Sequence, residues 1–292
     1  MATAIRTTTL TACALALDGH ECGFLTSVAG GGVVAPVIEE GGRKTIGTPT
    51  VEALTLGVGL GMNEMVYDWI ASSWESARPR DVAVVQLDGN LERRLERQYA
   101  EALITETTVS AFDASSRNPV TFTLRVAAEK MRDFAAKGKV TPPSSPPRRA
   151  LACNFRLELG DLDCSRVMSI DSFTVKQTFV ADDSIGRIPV KAPISIEIPN
   201  LRVTLADASQ SQTWRDWFRR FVIEGDTGSE KNGAIVLLTP DLRDEIGRIE
   251  LSGVGIFGLE EPPMPAPKDA VARFTVELYC EQMTFTLKET SA

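Results

Sequence analysis

The sequence predicts a mainly β protein: two tandem antiparallel β-barrel domains, each with one flanking α-helix. Three observations carry this expectation. The chain repeats itself at a nearly constant offset, apolar residues alternate with polar ones through most of each copy, and one stretch per copy switches to a helical period.

The repeat is the first of these. "LALDGHECGFLTSV" at 15–28 is echoed by "LELGDLDCSRVMSI" at 157–170, so that Leu15, Leu17 and Cys22 fall on Leu157, Leu159 and Cys164. "VYDWIASSW" at 66–74 is echoed by "WRDWFRRFV" at 214–222, placing Asp68-Trp69 on Asp216-Trp217. "VAVVQLDGN" at 82–90 lies over "AIVLLTPDL" at 234–242, and "FTLRVAAEKM" at 122–131 over "FTVELYCEQM" at 274–283. One such match is chance; four in the same order describe a duplicated domain. Between the copies lies "GKVTPPSSPPRRA", whose prolines and serines mark a stiff linker. The expected division is a first domain at 1–138, a linker at 139–150 and a second domain at 151–292.

Each copy opens as a hairpin around a Gly/Asp turn, Asp18-Gly19 or Gly160-Asp161. Strands follow, supported by Val33, Val34 and Val37 in one copy and Phe173, Val175 and Phe179 in the other. A polar, glycine-bearing loop comes next, then the strand "TVEALTL" or "NLRVTL". Val66, Trp69, Ile70 and Trp74 then recur at helical spacing, as do Trp214, Trp217, Phe218, Phe221 and Val222. These residues form the helix core; Asn63 with Glu64, and Ser211, are the expected helix starts.

The segment 91–104, "LERRLERQYAEALI", has the composition of a helix, but its counterpart "RIELSGVGIFGLE" carries three glycines and alternates. Propensity is the weaker signal, so both are read as strands. Each copy closes with a strand, Phe122–Ala128 and Phe274–Cys280.

Composition narrows the function. Of 292 residues 43% are hydrophobic and 24% charged, enough to bury substantial cores, and no stretch is apolar enough to span a bilayer. No signal peptide is read at the start. The net charge is −8 and neither large segment has a basic excess, which argues against phosphate tracking. Five scattered cysteines suit reduced, mostly buried thiols, with no zinc-type pair.

No catalytic, cofactor or metal site emerges. His20 is the single histidine, and the second copy has Leu162 in its place, so it reads as a turn-tip residue. Ser27 and Asp18 lie near it in sequence, without a nucleophile-elbow pattern around any serine. The glycines at 30–32 lack the residues of a phosphate loop. Carboxylate pairs such as Asp182-Asp183 and Glu260-Glu261 are ordinary in an acidic chain.

The stretch from Arg43-Lys44 through Leu54–Leu56, Tyr67-Asp68-Trp69-Ile70, Arg78 to Asp81 and Val82 to Gly89 resembles the tail tube proteins of contractile phages. These are related to the tube proteins of type VI secretion and of extracellular contractile injection systems. The second half keeps Trp214, Asp216, Trp217 and Phe218 but reads "SEKNGAIVLL" where the arginine-bearing turn belongs. The resemblance implies two tail-tube-like barrels, a structural role and no enzyme activity: a subunit of an inner tube, self-assembling into stacked rings. Family members normally carry one such domain, so two per chain imply trimers with pseudo-sixfold symmetry. The alternative is a baseplate hub or tube-initiating adaptor joining a threefold spike to a sixfold tube.

The implied partners are the chain itself, sheath and baseplate proteins, and DNA or protein cargo passing the lumen without specific binding; no membrane insertion and no cofactor are implied. The implied setting is synthesis in a bacterial cytoplasm and assembly into a virion tail or phage-tail-like particle. Glu39, Glu40, Arg43 and Lys44, with Asp182, Asp183 and Arg187, are the expected inter-ring contact residues, on segments 36–49 and 180–193.

Overall fold

The computed structural model describes residues 10–140, 150–180, 192–206, 212–261 and 272–288. In the first half, β1 (Leu10–Leu17) and β2 (His20–Phe24) form a hairpin. Its two turn residues, Asp18 and Gly19, both take positive φ (49° and 81°), the backbone that matches strand twist in a two-residue turn. There follow β3 (Ser27–Gly30), β4 (Val33–Val34), β5 (Val37–Glu40), β6 (Arg43–Ile46), β7 (Thr50–Val51) and β8 (Leu54–Gly59). Helix α1 (Glu64–Ser73) leads to β9 (Arg80–Asp88), β10 (Arg93–Val109), β11 (Phe112–Asp113), β12 (Thr121–Ala127) and β13 (Lys130–Ala135).

The second half comprises β14 (Phe155–Leu159), β15 (Val167–Ile170), β16 (Phe173–Val180), β17 (Ala192–Glu197), β18 (Leu201–Ala206), α2 (Gln212–Phe218), β19 (Lys231–Leu238), β20 (Glu245–Glu260) and β21 (Arg273–Leu287). The protein is mainly β and its sheets are antiparallel, including a half-barrel.

The first sheet runs β2-β1-β9-β10-β12-β8-β3, with β13 also on β10; the second runs β14-β19-β20-β21-β18-β15-β11. Leaving aside β2 at one end and β11, a strand of the first half, at the other, the strand order is the same, with β21 standing in for both β12 and β13. Pairing register agrees as well. Leu15 faces Val84 as Leu157 faces Ile235. Tyr99 faces Val82 as Leu251 faces Gly233. Val28 faces Leu56 as Ile170 faces Val203.

Irregularities coincide too. β10 is bulged around Glu101 (φ 49°) and β20 around Gly253 (φ 59°). The β9–β10 turn ends on Leu91 (φ 59°) and the β19–β20 turn on Leu242 (φ 60°).

From Arg93 onward the expected strand over 91–104 is part of β10, although its composition favours a helix. Its first residues are partly or fully exposed, and Tyr99, Ala102, Leu103 and Ile104 are buried. Long-range pairing with β9, β12 and β13 outweighs local propensity.

Four details depart from the sequence reading. The pairing places 82–90 over 233–241, one residue from the apolar match, because Gly233 occupies the position of Val82. A Cβ at Gly233 would lie 2.0 Å from the Glu158 carbonyl oxygen. The second half has no counterpart of β2: after Gly160 the chain makes consecutive turns, fixed by the Asp163 carboxylate accepting from the Ser165 amide at 2.9 Å.

The expected loop after β4 is a hairpin instead, β5–β6, with Gly41 and Gly42 at positive φ. Val222, expected on the apolar stripe of α2, is exposed. The helix widens into a π-type turn over Arg219–Ile223, with the Glu224 amide donating to the Arg219 carbonyl, and this rotates Val222 off the stripe.

Candidate assembly surface

The two halves are joined by a shared strand rather than by a simple surface contact. β10 is 17 residues long; its first part pairs with β9 and β13, and its last residues have β12 on one side and β16, from the other half, on the other. Glu106, Thr107, Thr108 and Val109 face Lys176, Val175, Thr174 and Phe173. The Thr108 and Thr174 hydroxyls are 2.8 Å apart. Val109, Phe173 and Val175 are buried, and so is Thr107. This is β-augmentation within one chain, in which backbone bonds supply the join and alternate side chains fill the seam.

Two further contacts close the junction. β11 of the first half pairs with β15 of the second, setting Phe112 opposite Ile170, and the Phe112 and Phe155 rings stand 5.5 Å apart. Helix α1 packs on the end of β21, with Trp74 and Phe122 at 6.0 and 5.1 Å from Phe285, ring centre to ring centre. The buried core is consequently continuous across both halves.

Among the helix residues named from sequence, Val66, Trp69, Ile70, Trp74, Trp214 and Trp217 are buried and Phe218 is partly buried against the core. The indole nitrogens of Trp69, Trp214 and Trp217 donate to the carbonyls of Arg78, Asp163 and Ser229 at 3.1, 3.0 and 3.1 Å, which fixes ring orientation as well as depth. Asn63 caps α1, its side chain accepting from the Met65 amide at 3.0 Å; Ser211 lies outside the described residues.

Glu39, Glu40, Arg43 and Lys44 are exposed on the β5–β6 hairpin, where Glu39 stands across from Lys44 and Glu40 across from Arg43. Each acid therefore has a base opposite it within the same hairpin. Asp182, Asp183 and Arg187 lie outside the described residues.

His20 is exposed at the start of β2, beside the turn. The carboxylate of Asp18 is held mainly by other groups: burial opposes its ionisation, but Arg80 at 2.6 Å and the Asp81 amide, with a smaller contribution from His20, outweigh that and hold it below the usual carboxylate range. Arg94 and the amides of Glu92 and Asn90 do the same for Asp88 at the β9–β10 turn. These carboxylates are turn anchors. Burial pushes the thiols of Cys164 and Cys280 up to about 12. Among the described residues no cluster of His, Cys, Asp and Glu is arranged to hold a metal ion, and no helix is long and apolar enough to cross a membrane.

The junction residues Thr108, Thr174 and Phe285 were not anticipated from sequence. A signal was present: Phe173–Val180 alternates as a strand, and in the structure it pairs with β17 of its own half on one side and with β10 on the other.

No protein-family model matches this sequence, and no curated protein matches it. The chain is similar to several solved structures. One is a chain of the sheath–tube complex, in its extended state, of the extracellular contractile injection system PVC (TM-score 0.39, 19% identity, covering 46% of this chain and 95% of that one). Another belongs to the tube-terminating cap of the anti-feeding prophage (TM-score 0.36, 19% identity, 46% and 100%). A third comes from the six-fold symmetrised baseplate of the anti-feeding prophage (TM-score 0.35, 16% identity, 46% and 98%).

Proposed function

We propose that this chain is a structural subunit of a contractile phage tail or phage-tail-like injection machine, a duplicated tube-type domain that builds rings and acts through shape and self-association. The observation that carries this reading is the β10–β16 join between two halves of matching strand order and register. A unit that binds its own repeat head to tail makes a heterologous contact, and such contacts generate a ring when the rotation closes. With two units per chain, a six-unit ring takes three chains. The tail-tube resemblance of residues 43–89 supports the same assignment, with sheath, baseplate and lumen cargo as the partners.

Electron microscopy of the purified protein tests the proposal. Rings or tubes with three chains per layer are the expected result; six chains per layer, or a monomer at all concentrations, overturns it.

One observation favours the adaptor alternative. Among the described residues the β1–β2 hairpin has no counterpart in the second half, so a trimer would present three copies of it on one face rather than six. Such a ring is threefold there and nearly sixfold elsewhere. Copy number per particle separates the two roles: many copies mean tube, three mean adaptor.

A further inference from the structure

The junction inside the chain also describes a second junction, whose two sides are the β4–β7 hairpin of the first half and the last residues of β20 in the second. In register, Gly258, Leu259 and Glu260 of β20 occupy the places of Glu106, Thr107 and Thr108 of β10. On β10 that edge is covered by β16; on β20 no strand covers it among the described residues. The counterpart of β16 is the strand entering β4. Lys176 faces Glu197 across the β16–β17 hairpin as Val34 faces Thr50 across β4–β7, so Val33 and Val34 hold the places of Val175 and Lys176. Val175 is buried in the junction, whereas Val33 and Val34 are exposed.

Apart from Leu242 on the β19–β20 turn, the exposed large apolar side chains among the described residues fall on these two sides. The hairpin side shows Val33, Val34, Val37 and Ile46, the last 78% exposed. Beside it, β13 is almost wholly exposed, with Phe134 outward, while the matching end of β21 is covered by α1. The opposite side shows Phe257 on β20, and Val222 and Ile223 after α2; Val222 holds the place of Trp74, the residue by which α1 covers β21. The β10–β16 pairing and the α1 cover on β21 thus each have an unmade counterpart among the described residues.

We infer that the hairpin from β4 to β7 of one copy adds to the free edge of β20 in a second copy of this chain, Val33 opposite Leu259 and Val34 opposite Gly258, while the turn after α2 covers β13. Gly30 and Gly31, at φ 73° and 72°, form the pivot. They now fold the hairpin back over its own half, where the Tyr99 hydroxyl donates to the Gly31 carbonyl at 3.1 Å, and glycine alone moves between this backbone and an extended one without steric cost. This inference rests on the ring reading above and names the surfaces that close it.

The test is a Val33→Cys/Leu259→Cys double variant of the full chain, treated with a short bismaleimide at concentrations well above micromolar. Wild type and each single variant serve as blanks for the native thiols. Pairing predicts interchain cross-linking about tenfold or more above either single variant, because docking raises the local thiol concentration, and a closed trimer as the product. An open ladder of linked chains supports the pairing and overturns the closed ring. Rings seen by microscopy without cross-linking above the blanks overturn the pairing and leave the ring reading standing. Neither rings nor cross-links overturns both. A Val34→Arg variant, altered at an exposed position, is expected to lose assembly with an unchanged melting temperature; assembly retained at the wild-type level overturns the pairing.

Discussion

Trp74, at the end of the first helix, and Phe285, on the last strand, stack at 6.0 Å between ring centres with their planes tilted by 46°. The contact joins residues from the two halves of the chain, and Phe122 approaches the same ring at 5.1 Å. Phe285→Ala therefore empties a site lined from both halves. The expected loss is about 3–5 kcal/mol. Chemical denaturation measures it, and a loss below about 1 kcal/mol would show that the junction adds little to stability.

Gly233 and Leu242 make opposite backbone demands on neighbouring parts of one hairpin. At Gly233 a methyl group would collide with the Glu158 backbone, so Gly233→Ala is expected to cost about 3 kcal/mol or more and to loosen β14 from β19. Leu242 is an exposed residue held at φ 60°, where a side chain is unfavourable by about 1 kcal/mol. Leu242→Gly is expected to leave stability unchanged or raise it slightly. Paired thermal melts of the two variants check both signs.

Asn63→Ala removes the side chain that caps α1. The expected cost is about 1 kcal/mol. Asn63→Ser, which can still accept from the helix amides, should recover most of it; equal losses in the two variants would show that the cap bond is not the cause.

Alkaline pH should weaken the fold. Burial is the largest cause of the high values at Cys164, Cys280 and Tyr279, and Glu230, 2.5 Å from the Tyr279 hydroxyl, raises that group further; all three stand at about 12. The folded protein keeps these protons where the unfolded chain releases them. Their contribution is complete below the ordinary thiol and phenol range and is lost as pH climbs from there toward 12. Denaturation midpoints should fall across that window, and Tyr279→Phe should flatten the decline.

Much of this fold was legible because the two halves of the sequence could be read against each other. Leu91–Ile104 would pass for a helix by composition, and only its glycine-bearing counterpart around Gly253 marked it as a strand. Asn63, Trp69 and Trp217 were readable because capping and helical spacing are local. What escaped was non-local. The one-residue slip at Gly233 depends on how closely β14 approaches, and the rotation of Val222 depends on hydrogen bonding beyond Phe218. Thr108 and Thr174 carry no mark of their partnership, because an edge strand's mate is set by tertiary position rather than by its own pattern.

The length of β10 has a mechanical consequence. Along its 17 residues it is bonded in turn to β9, β13, β12 and β16, so it serves both halves as a common spar. Tension applied lengthwise loads these ladders in shear, many bonds at once, and neither half can be drawn away without stripping the other. The molecule should resist stretching as one stiff body rather than as two beads on a string.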